Sequence, residues 1–251
     1  RLSDCATKPT DDERDCGFRE AVDFCRYYSK EALNLFQIQT LKGPTGELNQ
    51  YRMIGKGLSF VISPWNFPVA IFVGQTVAAL ITGNVVITKP AEQSSFAAYY
   101  IIKLLLKAGL PNNAIALLLG DGALIGKKVI NDKKLKNVIF TGSLETAKII
   151  QSTLQQKENI PTFVAETGGL NCMIVDTSAL TEHVVKDVVN SGFDSAGQRC
   201  SACRILCVEE NVYDHTKHTL IGAMKTQQVG NPEELSTDIG PVIDTEAYEN
   251  K

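Results

Sequence analysis

Three short stretches of this 251-residue chain carry groups able to do covalent chemistry. Cys200 lies in Gly197-Gln198-Arg199-Cys200-Ser201-Ala202, among small and polar residues, with Gly197 upstream to let the backbone turn tightly. Cys207, in Ile205-Leu206-Cys207-Val208, has the apolar setting of a structural thiol; Cys200 does not. A thiol is a strong nucleophile only as thiolate, so it needs a base or local dipoles. Glu166, 34 residues upstream in Ala165-Glu166-Thr167-Gly168-Gly169, is a candidate base. The apolar run Pro161 to Ala165 followed by a carboxylate and two glycines predicts a strand end, where open α/β sheets put their chemistry. Residue by residue, two readings stay open: nucleophile or ordinary free thiol for Cys200, base or solvated turn carboxylate for Glu166. The third stretch is Ser63-Pro64-Trp65-Asn66-Phe67-Pro68, in which Asn66 reads as a turn residue after Pro64 and Trp65 as core.

These groups need a scaffold, and the chain supplies an alternation of strands and helices. The stretch Arg1 to Phe18 is polar and reads as a loop or entry segment; from Arg19 the positions Ala21, Val22, Phe24, Cys25, Tyr28 and Ala32 fit an amphipathic helix. Strand-like residues surround Tyr51 to Ile54. Leu58 to Ile62 then reads as a buried strand, Val69 to Thr82 as a helix, and Val85 to Ile87 as a strand ending at Lys89-Pro90. The helix Ser95 to Ala108 stops at Gly109 with Pro111 beyond. Strands over Ile115 to Leu119 and Val138 to Phe140 each run into a glycine-containing turn and a helix. Strands over Cys172 to Val175 and Arg204 to Val208, with helices over Glu182 to Ser195 and Val212 to Gln227, complete the pattern. Such alternation predicts a mostly parallel sheet covered on both faces. The two glycines after Glu166 mark the expected boundary between a domain over 1–166 and a second over 167–251.

Bulk properties remove several function classes. With a net charge of −3 and no long basic run, nucleic acid is not the expected partner. The longest apolar stretch, Val69 to Gly83, is broken by Gln75 and is too short to span a bilayer. No secretory leader is visible. Seven cysteines, an odd number without a small-scaffold spacing, point to a reducing compartment and a cytoplasmic location. Cys200 and Cys203 form a C-x-x-C, but zinc would need two further ligands and no second pair exists. His215 and His218 read as a solvated helix face. No metal is expected.

Two turns could hold a phosphate. Gly120-x-Gly122-x-x-x-Gly126 misses the dinucleotide fingerprint by one residue and reads equally as a plain strand–helix turn. Thr141-Gly142-Ser143 joins a strand to a helix N-terminus, whose free N–H groups and dipole favour an anion. The same residues make an ordinary helix cap.

Pro64-Trp65-Asn66, Glu166-Thr167-Gly168-Gly169 and Gly197-Gln198-Arg199-Cys200, in that order and spacing, resemble the aldehyde dehydrogenase superfamily over nearly the whole chain. The resemblance implies a Rossmann-like cofactor domain with a mostly parallel sheet, followed by the first part of an α/β catalytic domain. It implies Cys200 as nucleophile, Glu166 as base for thioester hydrolysis, and the Asn66 amide with the Cys200 N–H as oxyanion donors. It places NAD on Ile62, Ser63, Pro64, Trp65, Lys89, Glu92, Gly122, Gly126, Phe140, Thr141, Gly142, Ser143, Thr167 and Gly168. Lys89 and Glu92 match the pair that binds the adenosine ribose, where a carboxylate would repel a 2′-phosphate and so favours NAD over NADP. Leu144 departs from the threonine often found after the serine, which removes one hydroxyl contact.

Glu20 to Tyr28, Gly43 to Asn49 and Ser195 to Ala202 resemble more narrowly the bacterial proline utilisation A family. That resemblance implies oxidation of L-glutamate γ-semialdehyde to glutamate in proline catabolism. It gives Arg199 and Ser201 the substrate carboxylate and Phe67 a place beside the aldehyde chain. It also implies fusion to a flavin-dependent proline dehydrogenase module. Residues 37–56 match an oligomerisation strand region, compatible with a homo-oligomeric full-length protein. Family catalytic domains continue beyond Lys251, so the expectation is a fragment, inactive by itself. The alternatives are an NAD-binding fragment without turnover and an aldehyde dehydrogenase of another substrate class.

Overall fold

The computed structural model describes residues 11–249, with side chains described from residue 17 onward. The described chain has two compact units, Asp15–Thr167 and the part from Gly168 onward.

The larger unit opens with α1 (Asp11–Leu35), followed by the antiparallel pair β1 (Gln39–Leu41) and β2 (Asn49–Tyr51). The first described turns of α1 correct the loop expected up to Phe18. That segment is charged and shows no apolar stripe in its sequence, so its helical period is silent. The chain then runs β3 (Leu58–Ser63), α2 (Ala70–Ile81), β4 (Val85–Pro90), α3 (Ser95–Lys107) and β5 (Ile115–Leu117). It returns through α4 (Gly122–Ile130), β6 (Leu135–Gly142), α5 (Leu144–Gln155) and β7 (Thr162–Thr167). β6 is longer than the Val138 to Phe140 core because Leu135 and Asn137 also pair, and the Asn137 amide donates to Ser59 Oγ at 2.8 Å.

The five strands form one parallel sheet in the order β5-β4-β3-β6-β7. Their side chains alternate between two cores. Phe60, Val138 and Phe140 pack with Ile150 and Leu154 of α5 on one face. Val61 and Val86 pack with Ala79 of α2 on the other. Beside them Phe72 and Val73 meet Ala98 and Ile102 of α3, with Ala21 of α1. Each fully buried aliphatic or aromatic side chain contributes about 1.5–3 kcal/mol, so strand and helix face are fixed together. Asn84 ties the end of α2 to the start of β3. Its Oδ1 accepts from the Lys56 and Gly57 N–H groups, and its Nδ2 donates to Ala79 O and Thr82 Oγ1.

The smaller unit pairs β8 (Asn171–Val175) in parallel with β9 (Cys203–Val208). Between them lie α6 (Thr181–Phe193) and a left-handed turn over Asp194–Gly197; α7 (Glu210–Thr226) follows β9, and α8 (Thr245–Glu249) ends the described chain. The apolar face of α6 (Val185, Val188, Val189) is buried.

Candidate active site

In the larger unit the residues singled out by sequence gather at one edge of the sheet. All five strands are parallel, so their C-terminal ends lie together. Ile62 is in register with both Lys89 and Phe140, Ser63 with Pro90, Thr141 with Glu166, and Gly142 with Thr167. The strand order reverses between β3, the central strand, and its neighbour β6. A crevice at such a reversal, outside the carboxyl ends of the strands, is where open α/β sheets bind ligands. Pro64, Trp65, Asn66 and Phe67 leave β3 at that point and are all half-buried. Glu166 lies inside β7, not beyond its end, and is exposed.

Lys89 is the buried cation of this edge. Its Nζ donates to Glu92 Oε1 at 2.8 Å and to Pro90 O at 3.1 Å. The lysine side chain is 5% exposed and the glutamate 52%, so the carboxylate is anchored from below and open above. Burial alone would push the Glu92 carboxyl up; the hydrogen bond and charge of Lys89, with the Glu92 and Gly122 N–H groups, outweigh it and hold the carboxyl below its ordinary value. A Cβ on Gly122 would lie 3.3 Å from Lys89 Nζ and 3.6 Å from Glu92 Oε1, so the glycine lies directly against the ion pair. Gly122 begins α4, whose N-cap Asp121 accepts from the Leu124 N–H at 2.7 Å.

Ser143 takes the cap role: its hydroxyl oxygen accepts from the Thr146 N–H at 3.2 Å at the start of α5. Thr141 Oγ1 accepts from the Gln75 side-chain amide, a partner on α2 that sequence reasoning noticed only as a break in an apolar run.

Cys200 is exposed in the smaller unit, immediately after a backbone conformation rare for L-residues. Ser195 and Ala196 both have φ of 54°, and Gly197 has 69°. Three left-handed residues in a row cost on the order of 1 kcal/mol for each that is not glycine. Side chains hold the turn closed. Gln198 Nε2 donates to Ser195 O at 3.0 Å while its Oε1 accepts from the Ile243 N–H at 2.8 Å. Arg204 Nη2 donates to Gly197 O. Asn171 Nδ2 donates to Cys200 O at 2.7 Å and to Ala202 O at 3.1 Å.

Arg199 is also engaged: its Nη2 donates to Asn190 O at 2.6 Å and lies 3.2 Å from Asp194 Oδ2. Its Nε is buried without a hydrogen-bond partner. Ser201 is exposed beside the thiol. Asn171, Asp194 and Arg204 were not singled out from sequence. Their signal is conformational and long-range, and nothing in a linear reading places an asparagine amide on a carbonyl 29 residues away. Among the described residues no cluster of three or more His, Cys, Asp or Glu side chains could hold a metal ion, and no helix is long and apolar enough to cross a membrane.

The sequence profile of the aldehyde dehydrogenase family matches residues 3–251. The chain belongs to the aldehyde dehydrogenase family. Among curated relatives it is 49% identical over 236 residues to the bifunctional protein PutA of Klebsiella aerogenes, covering 92% of this chain and 17% of that protein. It is 38% identical over 244 residues to the 1-pyrroline-5-carboxylate dehydrogenase of Anoxybacillus flavithermus, covering 94% of this chain and 47% of the relative. A crystal structure of proline utilization A from Bradyrhizobium japonicum superposes with a TM-score of 0.95 at 45% identity, over 99% of this chain and 26% of that one. The chain thus spans less than half the length of these relatives. The fold they share with it is the mixed α/β architecture with a parallel sheet described above.

Proposed function

We propose that this aldehyde dehydrogenase chain serves, as part of a longer protein, in NAD-dependent oxidation of L-glutamate γ-semialdehyde to glutamate, with Cys200 as nucleophile. The observation that supports it best is the sheet edge: Asn66, Lys89-Glu92, Gly122, Phe140 to Ser143 and Glu166 lie at or just beyond the carboxyl ends of neighbouring parallel strands. The name 1-pyrroline-5-carboxylate dehydrogenase supports the substrate, and the word bifunctional in the name of PutA supports a second activity in the native protein, for which we propose a proline dehydrogenase module.

The residues present suit a dinucleotide. Glu92, fixed by Lys89 and half-open above Gly122, can accept two ribose hydroxyls, and the carboxylate disfavours a 2′-phosphate. Ser143 and the start of α5 offer N–H groups to a pyrophosphate. Ile62, Ser63, Pro64, Trp65, Gly126, Phe140, Thr141, Gly142, Thr167 and Gly168 complete the proposed surface. NAD, when bound, takes up the hydride from the substrate carbon.

The chain's own groups do the remaining chemistry. Cys200 thiolate adds to the aldehyde carbon, forming a C–S bond and an alkoxide. The Asn66 side-chain amide and the Cys200 N–H donate to that oxygen; each such donor is worth about 3 kcal/mol. Loss of hydride leaves a thioester on Cys200. Glu166 removes a proton from water, the hydroxide attacks the carbonyl, and the C–S bond breaks to release glutamate and the thiolate. Arg199 and Ser201 bind the distal carboxylate, and Phe67 lies beside the aldehyde chain. Asp194 and Asn190 occupy Arg199 Nη2, which leaves Nη1 and the unpartnered Nε as donors for the substrate.

The test is NADH formation by the natural full-length protein on a panel of aldehydes with and without a terminal carboxylate. Glutamate semialdehyde should give the highest kcat/KM. Equal turnover of carboxylate-free aldehydes would reject the substrate assignment, and a Cys200→Ala variant that still forms NADH would reject the mechanism.

A further inference from the structure

We infer that Asn171 is a positioning residue for the nucleophile, a role that rests on Cys200 being the attacking group. Cys200 sits on an exposed turn that follows three left-handed residues, so the local backbone is strained and does not hold itself in place. The Asn171 side chain bonds the nucleophile's own peptide directly. Its one amide nitrogen donates to both carbonyls that flank Ser201, that of Cys200 at 2.7 Å and that of Ala202 at 3.1 Å. Two donations from one nitrogen fix the direction of both peptide planes.

Two physical consequences follow. First, Asn171 is the first residue of β8 and is in register with Cys203, so its backbone is set by the strand pair and its side chain carries that rigidity across to the turn. Second, both accepting carbonyls belong to the turn that carries Cys200, so one amide sets the course of the backbone from which the sulfur projects. Asn171 therefore aims the sulfur. It follows Glu166 by five residues, so one short connection carries the proposed base at one end and the clamp on the nucleophile at the other. Asn171 touches neither substrate nor cofactor in this account; it acts through Cys200.

The test uses Asn171→Asp and Asn171→Ala in the natural full-length protein. Aspartate keeps the shape but presents acceptors to two carbonyls; alanine removes the group without adding repulsion. Iodoacetamide labelling at neutral pH is followed by peptide mass spectrometry, because Cys172 and Cys207 are also exposed. Both variants should label Cys200 at least fivefold more slowly than the parent. Their kcat should fall at least tenfold, with KM for NAD and aldehyde within threefold and unchanged circular dichroism. A residue that only supported the fold would lower the melting temperature without this split. Labelling and kcat within twofold of the parent in either folded variant would overturn the proposal, as would a loss confined to KM. A Cys200→Ala control that retains turnover would instead remove the nucleophile assignment on which it rests.

Discussion

Gly197→Ala is a one-atom-group probe of how tightly the nucleophile turn is held. Gly197 is buried at φ 69°, and an L-residue there costs about 1 kcal/mol in backbone strain. The added Cβ would also lie 2.8 Å from Gly192 O and 3.3 Å from Arg204 Nη1. The arginine end can swing away. The Gly192 carbonyl cannot, because it belongs to the backbone of α6, so the turn itself must shift by about half an ångström. Overpacking of this kind costs about 1–3 kcal/mol, for a total of about 2–4 kcal/mol. At about 2–4 °C per kcal/mol for a chain this long, melting should fall by roughly 5–15 °C. Activity should suffer more selectively. A misplacement of about 1 Å can cost a hundredfold, so half of that predicts a fall of about tenfold or more in the rate of the first NADH turnover. Rapid mixing of the natural full-length variant with NAD and semialdehyde measures that rate; calorimetry of the 251-residue chain measures the melting. A variant with a first-turnover rate within twofold of the parent and melting within about 1 °C would refute the claim that this turn sets the position of the sulfur.

Three further predictions test the charges around the site. Glu92→Gln should narrow the preference for NAD over NADP, read from the ratio of kcat/KM values; a parent that already prefers NADP would contradict the ribose assignment. Because the Glu92 carboxyl is held below its ordinary value, its ion pair with Lys89 adds stability that is complete above the ordinary glutamate range and lost as pH falls through the lowered value. The melting difference between parent and Glu92→Gln should accordingly be constant around neutrality and close below about pH 4; a difference that grew in acid would reverse the argument. Asp194→Asn keeps an acceptor on Arg199 but removes the competing negative charge. The KM for carboxylate-bearing aldehydes should fall severalfold and that for uncharged aldehydes stay within twofold; equal changes in both would separate Arg199 from carboxylate recognition.

Much of the scaffold was legible because its cause is local. Buried parallel strands are β-branched or apolar runs, and Leu58 to Ile62, Val85 to Ile87 and Val138 to Phe140 announce themselves in this way. Gly83 and Gly109 stop their helices through positive φ. Element ends were harder. Leu135 and Asn137 joined β6 through register with β3, and Thr167 joined β7 through register with Gly142, which no single segment reveals. The early start of α1 was hidden because charged residues carry no periodic signal. The motif residues that resemble the family could be named from order and spacing. What holds Cys200 could not: Ser195 and Ala196 are left-handed without being glycine, and Asn171, Asp194 and Arg204 act through contacts that exist only once the chain has folded.

The central claim is a covalent thioester on Cys200 that Glu166 hydrolyses. The direct measurement is to mix natural full-length protein carrying Glu166→Gln with NAD and glutamate semialdehyde, quench in acid within the first turnover, and map adducts by peptide mass spectrometry. The account predicts about one NADH per site in a fast phase, and an acyl adduct of matching amount on Cys200 but not on Cys203. An adduct on Cys203, or a full burst with no adduct on either thiol, would contradict it.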